Sequence, residues 1–144
     1  NSDPSIKATA EYPVKKNWTP KDAKGPIGRA HQQPTVLWNG MVSAWAPFAN
    51  RGFIWYQGCH NAKEANLYCA KMHALYNGWS KEFENPNLKL YFVQLAPYKT
   101  NWMKLVEAQN KFAAEEKNAA IAVTADVGNF SDIHPNNKEG YFWT

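Results

Sequence analysis

Long hydrophobic runs are missing from this chain. No stretch of about eighteen apolar residues occurs, which excludes a membrane-spanning helix of ordinary length, and the first residues lack the apolar core of a secretory leader. Cysteine is scarce: Cys59 and Cys69 are the two present, too few for a disulfide framework and uninformative about redox compartment. Charge of one sign is nowhere concentrated. The net +4 comes from 16 basic and 12 acidic residues without a basic helix or charge run, so nucleic acid is not an expected partner.

Aromatic side chains are abundant instead. Seven tryptophans, seven tyrosines and seven phenylalanines within 144 residues suit one globular domain that buries about two-thirds of its unfolded surface. Most of these rings are expected in the core, although aromatic faces also stack on sugars. Residues 1–33 lack periodicity and carry Pro4, Pro13, Pro20 and Pro26 among several lysines, the composition of an irregular arm. The domain proper is expected over residues 34–144.

Within it the pattern alternates. A helix is predicted through "TVLWNGMVSAWA", ended by Pro47, and "GFIWYQ" reads as a buried strand. Asn61 is placed to cap a helix through "AKEANLYCAKMHALYNGWSKEF", with Tyr68, Met72, Leu75 and Trp79 as its apolar stripe. "LKLYFVQLAP" follows as a strand too apolar for a sheet edge, closed by Pro97. Next comes a helix through "NWMKLVEAQNKFAAEE", with Trp102, Leu105, Ala108, Gln109 and Phe112 on one side, and then a third strand, "AAIAVTAD". Strands alternating with helices predict an α/β fold with a parallel sheet.

Open parallel sheets place their sites beyond the carboxyl ends of the strands. Three loops qualify: "QGCHN", "APYKTN" and "DVGNFSDIHP". In the third, Asp126 or Asp132 can orient the His134 imidazole, the pairing a general base needs near neutral pH.

Six blocks carry a family resemblance: "PTVLWNGMVSAWAPF", "RGFIWYQGCHNA", "YFVQLAPY", "EAQNKF", "AVTADVGN" and "DIHPNNKEG". In order and spacing, over residues 26–140, the chain resembles the sialate O-acetylesterases, carbohydrate esterases of the SGNH hydrolase superfamily. The resemblance implies a three-layer α/β/α, flavodoxin-like fold, here the carboxyl-terminal portion of such a domain and incomplete. It also implies a serine esterase acting on O-acetylated carbohydrate, without cofactor or metal, in a periplasmic, extracellular or lysosomal setting.

On that template the Gly58 N–H and the Asn61 amide form the oxyanion hole, and His134 is the base. Gln57, Gln94 and Tyr98 are implied to contact substrate. The superfamily's acid stands three residues before the histidine, where this chain has Ser131, so Asp132 and Asp126 both remain candidates. The nucleophile's block, resembling "GQSNM", has no counterpart: Ser2, Ser5, Ser43, Ser80 and Ser131 lack its context, and the "WGGT" block of the second oxyanion donor is also absent. The serine is therefore expected from an amino-terminal segment outside this chain, as a partner to it, and these residues alone are expected to be inactive.

The family's usual Gly-Glu-Ser-Asn is Gly58-Cys59-His60-Asn61 here, which opens rival readings. A Cys59 nucleophile served by His134 would make a thiol hydrolase. Cys69 and His73, one helical turn apart, could join Cys59 and His60 around zinc. A non-catalytic remnant could instead bind sugar through Trp55, Tyr56 or Tyr98.

Overall fold

The computed structural model describes residues 36–46, 48–96, 98, 102–126 and 130–131. The amino-terminal arm, Pro47, Pro97, Asp132 and His134 lie outside them. Three short strands form the sheet: β1 (Gly52–Trp55), β2 (Lys89–Val93) and β3 (Ala119–Ala122). They lie in the order β1-β2-β3, all parallel. β2 is the central strand, as its continuous apolar character predicts. Gly52 permits the register at one edge, because a Cβ there would fall 2.2 Å from the Lys89 carbonyl oxygen.

Two helices make the crossovers. After a short α1 (Val36–Gly40), α2 (Ala65–Glu82) joins β1 to β2 and α3 (Met103–Glu115) joins β2 to β3. Phe53 and Trp55 are register partners of Leu90 and Phe92, so these four side chains share one face. Phe53 and Trp55 meet Trp79 of α2, and Phe92 meets Phe112 of α3. Both helices thus cover the same face. Their buried stripes are Ala65, Tyr68, Met72 and Tyr76 on α2, and Leu105, Ala108, Gln109 and Phe112 on α3. Trp102, immediately before α3, is buried with them.

The α/β class and the parallel sheet agree with the sequence; the described residues supply one helical layer of the expected sandwich. Several local expectations change. The first helix is not continuous: α1 stops at Gly40 and a separate 3₁₀ turn covers Val42–Ala44. Glycine at the junction weakens the helix there. β1 is covered on one face only: Phe53 and Trp55 are half-buried, and Ile54 is 86% exposed. Leu75 is half-buried and Tyr76 takes its place in the core. Tyr76 accepts a hydrogen bond from buried Asn118, whose carboxamide oxygen in turn accepts from Lys89.

Candidate active-site loops at the strand ends

The chain leaves β1 into a turn shaped by Gly58. Its φ of +148° is strained for any residue with a side chain, and an added Cβ would stand 3.1 Å from Leu95 Cδ1 and 3.3 Å from Leu105 Cδ2. Gly58 therefore serves both conformation and space. Its carbonyl accepts the Asn61 N–H at 2.8 Å, opening a 3₁₀ turn over Cys59–Glu64. Asn61 is consequently inside that turn and does not cap α2; Glu64 occupies the cap position and makes no side-chain cap bond.

The Asn61 side chain is held from both ends. Gln57 Nε2 donates to its Oδ1 at 2.7 Å, and its Nδ2 donates to Glu64 Oε2 at 3.1 Å. Each anchor is itself anchored: Tyr68 O–H donates to the Gln57 carbonyl at 2.8 Å, and Lys71 Nζ holds Glu64 Oε2 at 2.6 Å. The Lys71 hydrogen bond and charge, with help from Asn61, keep the Glu64 carboxyl below its ordinary range. Burial pushes the Tyr68 phenol upward, so it stays a donor. One Asn61 N–H is committed to Glu64, and the carboxamide carries a second.

The second loop is mostly framework. Gln94 is buried, its amide donates to Asn110 at 3.0 Å, its N–H donates to the Ala122 carbonyl and its own carbonyl accepts from Thr124 Oγ1. Gln109, fully buried, accepts the Leu95 N–H at 3.1 Å. Tyr98 packs edge-on against Trp102, with centroids 5.6 Å apart. In the third loop Asp126 is exposed in a turn two residues beyond buried Thr124. Gly58, Asn61, Gln94, Tyr98 and Asp126 thus all follow the carboxyl ends of adjacent parallel strands.

The rival chemistries fare differently. Cys59 is half-buried against the core, and that burial pushes its thiol up, opposite to what a thiolate nucleophile needs. The four-residue zinc set does not assemble: among the described residues, the donor side chains close enough to share an ion are Cys69, His73 and Glu115. Trp55 is half-buried and turned edge-on to Trp79 at 5.8 Å. Tyr56 is exposed.

Sequence reasoning missed Glu64 and Lys71 as supports of Asn61. The three-residue spacing from Asn61 to Glu64 was a usable signal once a 3₁₀ turn is recognised. An open pocket of about 320 Å³ lies on the helical side, with Asn66, Cys69, Lys104, Glu107 and Lys111 among its lining.

Comparison with known proteins gives concordant results. Residues 15–141 match the family described as carbohydrate esterase, sialic acid-specific acetylesterase. A sialate O-acetylesterase of Rattus norvegicus is 27% identical, over 73% of this chain and 24% of its own length. A crystal structure of a carbohydrate acetylesterase from Xanthomonas citri superposes with a TM-score of 0.70 at 37% identity, over 76% of this chain and 28% of that one. The chain thus spans about a quarter of the length of these relatives.

Proposed function

Because the chain belongs to the sialic acid-specific acetylesterase family of carbohydrate esterases, we propose that it works as the carboxyl-terminal part of an enzyme that removes O-acetyl groups from sugars. In this reading a serine outside these 144 residues attacks the acetyl carbon while His134 takes its proton. The carbonyl π pair moves onto oxygen, where the Gly58 N–H and the second Asn61 N–H stabilise it. Collapse expels the sugar alkoxide, which His134 protonates, and water then repeats the sequence to release acetate. Asp126 or Asp132 holds the imidazole. A periplasmic, extracellular or lysosomal site of action belongs to the same reading.

The observation that carries it is the bracing of Asn61 by Gln57 and Glu64 in the turn after β1. A donor fixed before the reaction costs no reorganisation when the oxyanion forms. The test uses the full-length protein on acetylated sugars and 4-nitrophenyl acetate. Asn61→Ala is expected to lower kcat by roughly 10²- to 10³-fold, and His134→Ala to lower it more. Whichever of Asp126→Asn and Asp132→Asn reproduces the histidine loss identifies the orienting carboxylate. Undiminished hydrolysis in His134→Ala would overturn the mechanism. Sugar binding with only background hydrolysis by the unaltered protein would convert the assignment to a binding remnant.

A further inference from the structure

We propose that Cys69 Sγ, His73 Nε2 and the Glu115 carboxylate form a binding site for a divalent transition metal of zinc-like softness on the helical face of the protein. Cys69 and His73 lie four residues apart on α2, hence on one side of it, and Glu115 is the last residue of α3. Their three ligand atoms all lie within 4.8 Å of one another. Glu115 Oε2 is the shared point, 2.9 Å from His73 Nε2 and 3.5 Å from Cys69 Sγ. The other carboxylate oxygen faces Lys111 Nζ at 3.8 Å, which leaves Oε2 directed at the cysteine and histidine.

Two of the three donor separations are close to what a metal requires, and the third, Cys69 to His73, is at most 4.8 Å. Bonds of about 2.0–2.3 Å to N, O and S place tetrahedral ligands roughly 3.3–3.7 Å apart. The Cys69 contact already has that span, and the His73 contact must widen by about half an ångström. Glu115 can supply this movement, since its side chain is 45% exposed at a helix end. The imidazole is held in place by edge-on packing against Phe112, at 4.8 Å and 71°, a residue fully buried in the core.

Donor chemistry narrows the ion. One thiolate, one imidazole and one carboxylate favour zinc, cobalt, nickel or copper over magnesium or calcium, which prefer oxygen alone. Binding exchanges the Cys69 proton for the metal and releases it to solvent, and His73 Nε2 gives up the proton it shares with Glu115, the neutral ring keeping its one proton on Nδ1; the thiolate and carboxylate then balance the dication. Cys69 also lines the open pocket with Lys104, Glu107 and Lys111, so a fourth position is reachable by water or a small anion. Three protein ligands with one open position is the pattern of an exchangeable site and not of a closed structural one. The site involves none of the strand-end loops and stands whether or not the esterase reading holds.

The intact protein, reduced and stripped with EDTA, would be titrated with Co²⁺ without oxygen. One equivalent should bind with a near-ultraviolet sulfur-to-cobalt charge-transfer band and visible bands of four-coordination, and Zn²⁺ should displace it. Cys69→Ser should abolish the ultraviolet band, His73→Ala and Glu115→Gln should weaken binding about tenfold or more, and Cys59→Ser should change neither. In the unaltered protein Zn²⁺ should protect Cys69, but not Cys59, from alkylation mapped by mass spectrometry, a readout that survives any folding failure of the variants. No binding at millimolar cobalt, a sulfur band retained in Cys69→Ser, or equal labelling of both cysteines with and without zinc would overturn the site.

Discussion

At Gly58 two demands fall on one absent methyl group. Its φ of +148° and the leucine side chains at 3.1 and 3.3 Å from a built Cβ predict that Gly58→Ala destabilises the protein by about 1–3 kcal/mol. Urea unfolding measures this; a change below about 0.5 kcal/mol would mean the turn relaxes freely. The neighbouring Glu64–Lys71 pair makes a prediction about pH. Lys71 holds the Glu64 carboxyl below its ordinary value of 4.5, so the stabilisation is fully present above that value and disappears as pH falls through the lowered one. Both side chains are partly exposed, which limits the effect to well under about 1 kcal/mol. The gap in urea midpoint between the native protein and Lys71→Met should therefore be small at neutral pH and shrink as the pH falls below 4.5. A gap that widens on acidification would reverse the assigned role.

Among the elements, α2 ends in a way that can be improved. Glu84 has φ +50°, its N–H donates to the Lys81 carbonyl, and the Asn85 N–H reaches back to Ser80. These are the paired bonds of a Schellman motif with a non-glycine residue at its left-handed position. Glu84→Gly should raise stability by about 0.5–1 kcal/mol, read as an increase in thermal midpoint.

α3 was legible from sequence because its contacts follow helical period: Trp102, Leu105, Ala108, Gln109 and Phe112 are all buried. β1 was less so, since a short apolar run such as Phe53-Ile54-Trp55 cannot declare which face is covered. Asn61 resembles a helix cap by residue type, yet the positive φ at Gly58 inserts a 3₁₀ turn before α2. Glycine permits that conformation but does not announce it. The strand-end loops could be located from topology. The grouping of Glu115 with Cys69 and His73 could not, because it depends on how two helices separated in sequence pack together.

At the scale of the whole molecule, the sheet face away from the helices is exposed among the described residues. Ile54 is 86% exposed and its register partner Tyr91 52%, and apolar surface of this kind lowers solubility where it is extensive. In the 144-residue chain, Ile54→Thr should increase the soluble fraction with a stability change within about 0.5 kcal/mol. A loss above about 1 kcal/mol would show that Ile54 is packed against something in solution.

The strand order has a temporal consequence. Among the described residues, each outer strand pairs with the strand next to it in sequence, β1 with β2 and β3 with β2. A chain emerging from the ribosome can therefore close β1, α2 and β2 into one unit before α3 has left the exit tunnel, and then extend it. Among the described strands, synthesis and assembly therefore run in the same direction, each strand waiting for its partner across a single helical crossover.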